Sequence, residues 1–296
     1  MIDRACISLN NNCNLKCRYC HFQDKQYDFA SFGLSDLIQI ADNIHNYCME
    51  NNIQSFKLGV VGSGEPMIKK NEIFGLLEYI AKSYYTEMKL YTITNGVLLT
   101  KEDIGRFFEY REIIKVCFSL DGYEELHNYG RGKYHELMEK IAWYKEMFGE
   151  APSINATVNK ITYENKERVV SFYKGNGLLN VTFSKLVGYF EPDLYITDRE
   201  YNSFMEYIKK SGLNSRQFSN QKKYDCTMYG RLCGVGRTNV FITPEGIYPC
   251  GRFYKNDKYL LGDFNSSLSE VERKVKEMKP VADGKCYYTR NVEAKK

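Results

Sequence analysis

The hydrophobic residues of the chain follow two alternating periods. Apolar residues at every second position, or in short continuous runs, are typical of β-strands, whereas apolar residues spaced three and four positions apart are typical of amphipathic helices. The strand-like segments are Ala5–Leu9, Ser55–Val61, Lys89–Thr94, Ile114–Leu120, Ser153–Val158 and Asn180–Val187. The helix-like segments are Leu34–Glu50, Asn71–Ser83, Lys101–Tyr110, Tyr134–Phe148, Tyr163–Lys174 and Asp198–Gly212. The pattern therefore predicts six consecutive β-then-α units.

Capping residues support these helix boundaries. Ser35, Thr100 and Thr197 stand at predicted helix starts, and Asp103 and Glu200 follow the last two by three positions, as in a capping box. Six β-then-α units joined by right-handed crossovers form a parallel sheet, so the predicted fold class is α/β. The pattern alone leaves open whether the sheet stays flat or curls into a barrel.

The segments with candidate chemistry all follow predicted strands. A loop with three cysteines follows the first strand, and the later strands lead to Gly62–Pro66, Thr94–Gly96, Ser119–Gly122 and Asn159. In parallel barrels the active site lies at the carboxyl ends of the strands. We therefore expect these five segments to lie on one rim of the sheet and to form the functional site.

Composition and charge exclude several classes of protein. The chain has 296 residues, 43% of them hydrophobic and 26% charged, which is usual for a globular protein. A net charge of +4 without a lysine or arginine run gives no electrostatic reason to bind nucleic acid or an anionic membrane. No apolar stretch approaches the ~20 residues of a membrane span, and Met1–Arg4 begins no signal peptide. We expect a cytoplasmic protein.

The ten cysteines fall into three groups. Cys6, Cys48 and Cys117 lie inside apolar patterns and are interpreted as small buried residues of the core. The second group is compact and polar, and comprises Cys13, Cys17 and Cys20. The third group is spread through the last quarter of the chain, and comprises Cys226, Cys233, Cys250 and Cys286.

The compact group indicates a metal site. Cysteines gathered this closely in a reducing compartment bind metal rather than form disulfides. A structural zinc site takes four ligands, usually from paired C-x2–4-C units, and a fourth nearby cysteine is missing from this segment. Three thiolates on an iron–sulfur cluster leave one iron without a protein ligand, and an open metal position serves catalysis.

The C-x3-C-x2-C spacing of Cys13, Cys17 and Cys20, with Tyr19 before the last cysteine, resembles the signature of radical S-adenosylmethionine (SAM) enzymes. The resemblance implies a partial (β/α)6 TIM-like barrel and a [4Fe-4S] cluster on the three thiolates. It further implies that the unligated iron chelates the methionine moiety of SAM. Reductive cleavage then releases a 5′-deoxyadenosyl radical, which abstracts a hydrogen atom from the substrate.

The same resemblance extends to the other rim segments. Gly62–Pro66 is similar to the family's Gly-Gly-Glu-Pro motif, which holds the methionine amino group, with a serine in place of the second glycine. Thr94–Gly96, Ser119–Gly122 and His127–Arg131 resemble motifs of the peptide- and protein-modifying branch, which includes anaerobic sulfatase-maturating enzymes. The cofactor-site candidates implied are Tyr19, Ser63, Gly64, Glu65, Asn95, Ser119, Asp121 and Arg131. Ser119 and Asp121, two positions apart, are expected to share a face and to reach ribose hydroxyls. The role of His21, next to the cluster loop, is left open.

The last quarter of the chain resembles the auxiliary-cluster extension known as SPASM or, in its short form, twitch. A predicted hairpin, Val240–Thr243 with Ile247–Tyr248, precedes Cys250, and a charged helix over Leu268–Met278 follows. The resemblance implies one auxiliary [4Fe-4S] cluster on Cys233, Cys250 and Cys286, with Cys226 as the fourth ligand. Alternatively, Cys226 is a free thiol that donates a hydrogen atom to a substrate radical. We divide the chain into a radical SAM domain over 1–215 and a twitch-like subdomain over 216–296.

Three functions remain open at this stage. The first is hydrogen abstraction from a peptide, leading to epimerisation, a crosslink or oxidation, with electrons from a flavodoxin or ferredoxin. Too few residues precede the first strand for the winged-helix leader-binding domain of many peptide maturases. The second is oxidation or epimerisation of a carbohydrate-like metabolite. The third is a non-catalytic iron–sulfur or zinc protein acting as a sensor.

Overall fold

A computed structural model of the chain describes residues 1–20, 30–186, 191–213 and 238–278. Its centre is one sheet of eight strands, six of which match the predicted segments to within two residues at each end. The strands are β1 (Arg4–Ser8), β2 (Phe56–Val61), β3 (Met88–Thr94), β4 (Ile114–Ser119), β5 (Ser153–Val158), β6 (Val181–Lys185), β7 (Asn239–Thr243) and β8 (Gly246–Tyr248).

The helices alternate with these strands. They are α1 (Leu34–Glu50), α2 (Lys70–Lys82), α3 (Lys101–Glu109), α4 (Glu124–Gly130), α5 (Tyr134–Phe148), α6 (Lys160–Glu164), α7 (Lys166–Gly175), α8 (Asp198–Ser211) and α9 (Leu268–Glu277). Short 3-10 turns follow β2 and β8, at Pro66–Lys69, Gly251–Phe253 and Asp257–Tyr259.

The sheet confirms the predicted α/β class and the partial barrel with a hairpin and helix after it. Its order is β6-β5-β4-β3-β2-β1-β7-β8, and strands β1 to β6 are all parallel. Because the first six strands are parallel and in chain order, all their carboxyl ends lie on one rim. The five segments with candidate chemistry therefore share that rim, as predicted.

Most differences from the predicted boundaries have local causes. Thr100 and Thr197 cap α3 and α8 as predicted, through capping boxes. The predicted cap at Ser35 is wrong, because α1 begins after Gly33, whose amide donates to the Asp36 carboxylate at 2.8 Å. The helix predicted over Tyr163–Lys174 is interrupted at Asn165 and forms α6 and α7, and the short α4 was not predicted.

The two faces of the strands differ in burial. The side chains that point towards the helices form the hydrophobic core, whereas those on the opposite, concave face are mostly half-buried or exposed. Cys48 lies in the core on α1, as predicted. The same prediction is wrong for Cys6 and Cys117, which are partly exposed on the concave face, because each alternates with core residues along its strand. The Cys6 thiol lies 3.1 Å from the Tyr91 hydroxyl.

The predicted hairpin is present and extends the barrel sheet. β7 pairs with β8 in antiparallel fashion, and its other edge pairs with β1 in parallel, with Arg4 opposite Asn239. α9 packs on α1, where the Tyr47 hydroxyl donates to the buried Glu272 carboxylate at 2.7 Å. The predicted domain boundary between 215 and 216 lies outside the described residues.

Within the ranges that the structure describes, no helix combines the length and the apolar character needed to cross a bilayer.

Candidate functional site

The three-cysteine loop is fixed to the rim by backbone hydrogen bonds. The Arg18 amide donates to the Gly130 carbonyl at the end of α4 at 2.9 Å, and the Cys20 amide donates to the Cys17 carbonyl at 3.0 Å. The ring of Tyr19 packs directly on Gly130, where an added Cβ would lie 2.6 Å from the ring. The loop between β1 and α1 thus packs on the carboxyl-terminal end of α4, the helix that follows β4.

The Cys17 thiol lies close to Cys13, Cys20 and the Arg131 guanidinium, and all three affect its pKa. Burial raises the pKa of the Cys17 thiol to about 11, the nearby Arg131 guanidinium opposes this shift, and Cys13 and Cys20 add to it. Burial also raises the pKa of Cys13, whose sulfur accepts a hydrogen bond from the Leu15 amide at 3.4 Å. Metal binding therefore has to displace protons from these thiols.

The donor set fits an iron–sulfur cluster. Three sulfurs come from one short loop, and an N–H···S contact of the kind that tunes cluster potentials is present. In the part of the chain that the structure describes, no three Cys, His, Asp or Glu side chains converge on a single metal ion. A cluster gives each thiolate its own iron, so it does not require such convergence.

The Gly62–Pro66 turn is joined to the backbone of the cluster loop. The Gly64 amide donates to the Asn10 carbonyl at 3.1 Å, and the Glu65 amide donates to the Asn12 carbonyl at 2.7 Å. A Cβ on Gly64 would lie 1.9 Å from the Asn12 carbonyl oxygen, so only glycine permits this approach. The Ser63 amide and hydroxyl lie 2.9 and 3.0 Å from the Ser8 hydroxyl at the end of β1.

The buried Glu65 carboxylate connects the second and third rim segments. It accepts hydrogen bonds from the Thr94 hydroxyl at 2.5 Å, the Asn95 amide at 2.8 Å and the Met67 amide at 3.0 Å. Burial raises its pKa, and these three donors act in the opposite direction. The contact of Glu65 with the cofactor stays a prediction. In the structure the carboxylate forms hydrogen bonds with the protein that join two rim segments.

Asn95 joins the third segment to the cluster loop. Its side-chain amide donates to the Asn14 side-chain oxygen at 2.8 Å, and its own oxygen accepts from the Val97 amide at 3.0 Å. Asn14 lies between Cys13 and Cys17, so the cluster loop is held both by Gly64–Glu65 and by Asn95.

Asp121 is the centre of a buried charged network. One carboxylate oxygen accepts from the Tyr19 hydroxyl and from the Arg131 Nε, the latter at 3.0 Å. The other oxygen accepts from the Thr157 amide on β5 at 2.8 Å, while the Arg131 Nη2 donates to the Thr157 hydroxyl at 3.2 Å. Asp121 is 1% exposed and Arg131 is 15% exposed, so the pair is shielded from water.

The network gives Asp121 and Ser119 different surroundings. Ser119 ends β4 and is largely buried, and the structure gives no hydrogen bond for its hydroxyl among the described residues. Asp121 lies beyond the strand with both oxygens bound to protein donors. It stays a prediction that these two side chains reach ribose hydroxyls. Ser119, whose hydroxyl has no hydrogen bond among the described residues, suits this role better than Asp121, whose two oxygens already accept hydrogen bonds from the protein.

His127 begins the stretch His127–Arg131 that the sequence indicated, but sequence reasoning gave this residue no role of its own. The Asp121 amide donates to its Nδ1 at 3.3 Å, so Nε2 carries the proton and donates to the Gly132 carbonyl at 3.1 Å. Burial lowers the pKa of His127 to about 4. The neutral ring thus holds the backbone of Asp121 and of the segment that carries Arg131. His21 lies outside the described residues.

This histidine predicts a pH dependence of stability. Because the pKa of His127 is depressed in the folded chain, the unfolded chain binds the extra proton as the pH falls from about 6.5 towards 4. We expect the parent to lose about 1 kcal/mol more free energy of unfolding between pH 7.5 and 5.5 than His127→Gln, measured with urea. Equal losses in the two proteins would contradict this assignment.

Of the four C-terminal cysteines, Cys250 is the one within the described residues; Cys226, Cys233 and Cys286 lie outside them. Cys250 follows β8 and packs beside Phe241 and Tyr254, near Cys6. The Tyr254 hydroxyl donates to the Glu245 carboxylate at 2.6 Å and accepts from the Asn11 side chain at 3.2 Å. The region after the hairpin therefore contacts the cluster loop, which no local sequence signal indicated.

Comparisons with known proteins found one matching family and several similar proteins. The family model of the radical SAM superfamily matches residues 7–174. An uncharacterised protein of Archaeoglobus fulgidus is 24% identical over 92% of this chain and 68% of its own length. The antilisterial bacteriocin subtilosin biosynthesis protein AlbA of Bacillus subtilis is 26% identical over 44% of this chain and 27% of its own length.

Solved structures with a similar fold include those of anSMEcpe and SuiB. The enzyme anSMEcpe, solved with AdoMet and the Cp18Cys peptide, superposes with a TM-score of 0.74 at 19% identity, over 97% of this chain and 86% of its own. SuiB of Streptococcus suis, bound to its precursor peptide SuiA, superposes with a TM-score of 0.69 at 19% identity, over 92% of this chain and 64% of its own.

Proposed function

Because the chain belongs to the radical SAM superfamily, we propose that it binds a [4Fe-4S] cluster and SAM and modifies a peptide by hydrogen abstraction. The cluster and SAM together supply a one-electron cleavage that yields 5′-deoxyadenosine and a substrate radical. The residues of this chain bind these groups, orient them and shield them from water.

Cys13, Cys17 and Cys20 hold the cluster on the rim. The observation that carries the proposal is the attachment of their loop to all neighbouring rim segments, through Gly64 and Glu65 on one side and Gly130 on the other. Such fixation keeps a reactive centre at a defined distance from its substrate, which is a large part of what an enzyme contributes.

Charged and polar rim residues complete the cofactor site. Arg131 is a buried cation close to the Cys17 thiol and suits a carboxylate group of SAM. Asp121 and Tyr19 hold Arg131 in place and keep its charge partly neutralised when no ligand is bound. Ser63, Asn95 and Ser119 lie around the same rim and offer hydroxyl and amide groups to the rest of the cofactor.

A peptide substrate is supported by the peptides that are bound to two of the similar proteins and by the name of a third. anSMEcpe was solved with a peptide, SuiB with its precursor peptide, and AlbA takes part in making a bacteriocin. The half-buried concave face offers Asn155 and Thr157 on β5 and Thr182 on β6, which are suited to the backbone of an extended chain. Epimerisation, crosslinking and oxidation are all compatible with this arrangement, and electrons are supplied by a flavodoxin or ferredoxin.

We further assign an auxiliary [4Fe-4S] cluster to Cys226, Cys233, Cys250 and Cys286. Support comes from the position of Cys250, directly after a hairpin that joins the barrel sheet. In the alternative form of the proposal Cys226 stays free and donates a hydrogen atom to the substrate radical, as epimerisation requires.

One experiment tests the function and the number of clusters. In anaerobically reconstituted protein we expect about eight irons per chain, and 5′-deoxyadenosine after reduction with dithionite in the presence of SAM. The triple variant Cys13→Ala, Cys17→Ala and Cys20→Ala should keep about four irons and form no 5′-deoxyadenosine. The matched control is Cys48→Ala, because Cys48 is a buried core thiol away from the rim.

Two outcomes would contradict these assignments. Persistence of 5′-deoxyadenosine in the triple variant would exclude the proposed mechanism. Loss of all iron from that variant would keep the mechanism and exclude the auxiliary cluster.

A further inference from the structure

Arg18 joins the three-cysteine loop to two later segments of the chain. Its guanidinium carbon lies 4.1 Å from the centre of the Tyr129 ring on α4, and its Nη2 donates to the carboxylates of Glu191 and Asp193, the latter at 3.5 Å. The Tyr129 hydroxyl donates to the same oxygen of Asp193. These four residues, which we call the Arg18 latch, form a network of contacts instead of a single surface ion pair.

The acidic residues of the latch are carried by a backbone segment that is packed on the barrel. The Leu194 side chain is fully buried, and its amide donates to the Glu191 carbonyl at 2.9 Å. The Leu194 carbonyl accepts a hydrogen bond from the Lys160 amide, at the start of α6, at 3.2 Å. Glu191 and Asp193 therefore offer Arg18 a fixed pair of carboxylates.

The latch connects distant parts of the cofactor rim. Four strands separate β1 from β6 in the sheet, and Arg18 follows β1 whereas Glu191 and Asp193 follow β6. The Tyr129 contact adds the helix that follows β4, where the Gly130 carbonyl also accepts from the Arg18 amide at 2.9 Å. The segments that follow three of the six parallel strands thus meet at Arg18.

We propose that the Arg18 latch positions the three-cysteine loop relative to β5 and β6, the side of the barrel that is proposed above to hold the peptide. The inference rests on the proposed function and makes Arg18 and Asp193 positioning residues for hydrogen abstraction. Arg18 directly follows Cys17, so a displacement of Arg18 also displaces a proposed cluster ligand. A misplacement of about 1 Å between reacting groups costs about 100-fold in rate.

Salt distinguishes the latch from the buried network around Asp121. The side chains of Arg18, Asp193 and Glu191 are 34%, 45% and 53% exposed, so dissolved ions screen their attraction. Asp121 is 1% exposed, and its pair with Arg131 is screened much less. An effect of the latch should therefore weaken as the salt concentration rises, whereas an effect of the buried network should persist.

Hydrogen–deuterium exchange of the reconstituted full chain tests the connection. Arg18→Gln should speed amide exchange in residues 191–197 about fivefold, and Asp193→Asn should speed it in residues 13–20 by a similar factor, because coupling between two sites is reciprocal. The matched control is Glu78→Gln, which breaks a comparably exposed ion pair with Lys82 on α2 and should change exchange in neither segment.

Cleavage of SAM tests whether the connection positions the cluster. With dithionite and SAM at about 50 mM salt, we expect Arg18→Gln and Asp193→Asn to form 5′-deoxyadenosine about tenfold more slowly than the parent. Iron content and the KM for SAM should stay unchanged, since the latch binds neither group. Raising the salt to about 500 mM should slow the parent towards the two variants. The double variant should be about as slow as each single variant, because both changes remove the same contact.

The outcomes separate the latch from the proposed function. Exchange and cleavage in the latch variants equal to those of Glu78→Gln, loss of iron from these variants, or additive losses in the double variant would overturn the proposal. Reciprocal changes in exchange in a chain that forms no 5′-deoxyadenosine would support the latch and contradict the proposed function. Equal 5′-deoxyadenosine formation by the parent and the latch variants would keep the proposed function and exclude the latch.

Discussion

Replacing Gly64 with alanine is expected to lower 5′-deoxyadenosine formation by about 100-fold or more. The new Cβ would lie 1.9 Å from the Asn12 carbonyl oxygen, so the turn and the cluster loop have to separate. Separation breaks the hydrogen bonds from the Gly64 and Glu65 amides to the cluster loop. We expect lower iron content at the three-cysteine loop as well, which distinguishes a displaced loop from a simple clash with SAM.

Gly175→Ala is the matched control. Gly175 lies at the end of α7, where an added Cβ would have no atom within 4 Å apart from its chain neighbours and its own helix backbone, so the same change there leaves iron content and cleavage as in the parent. If the Gly64→Ala protein has the iron content and cleavage rate of the parent, the three-cysteine loop tolerates the displacement. Gly64 would then not be needed to build the site.

Asp121→Asn is expected to cost about 3–5 kcal/mol in free energy of unfolding, because it leaves the buried Arg131 guanidinium without its carboxylate partner. It also weakens the charge-assisted hydrogen bond from Tyr19, which lies between Cys17 and Cys20 in the sequence. Urea unfolding measures the loss. Since the charge remaining in the single variant causes most of the damage, the double variant Asp121→Asn, Arg131→Gln should be less destabilised than the sum of the two single changes.

An exposed ion pair provides the comparison for this variant. Glu125→Gln breaks a pair with Arg168 at 2.7 Å in which both side chains are more than half exposed, and we expect it to lower the free energy of unfolding far less than Asp121→Asn does. Asp121→Asn with a loss as small as that of Glu125→Gln would mean that Arg131 is not dependent on Asp121.

The parts of the fold that were predictable are those with a strong local period. Leu34–Glu50 and Tyr134–Phe148 were predicted with their observed ends, because their apolar faces are long and their flanks are polar or glycine-rich. The common rim of the five motifs was predictable too, because parallel strands in chain order place all their carboxyl ends together.

The partners of the site residues were not predictable, since they depend on contacts between distant segments. Tyr19 and Asp121 are 102 positions apart, and Asn11 and Tyr254 are 243 apart. Alternation along β1 and β4 places Cys6 and Cys117 on one face of the sheet. The sequence does not reveal that side chains on this face are only partly buried. The hydrophobic pattern of β7 predicts a strand, and its edge-to-edge position beside β1 is known only from the structure.

The parallel pairing of β7 with β1 affects how the chain is made. A ribosome adds about 5–20 residues per second, so roughly 10–50 s pass between the synthesis of Arg4 and that of its partner Asn239. During this time one edge of β1 carries unpaired amide and carbonyl groups, which is a recognised route to aggregation. The strand that leads into the three-cysteine loop is thus among the last to be enclosed, and a nascent chain stalled before β7 is the form most in need of a chaperone.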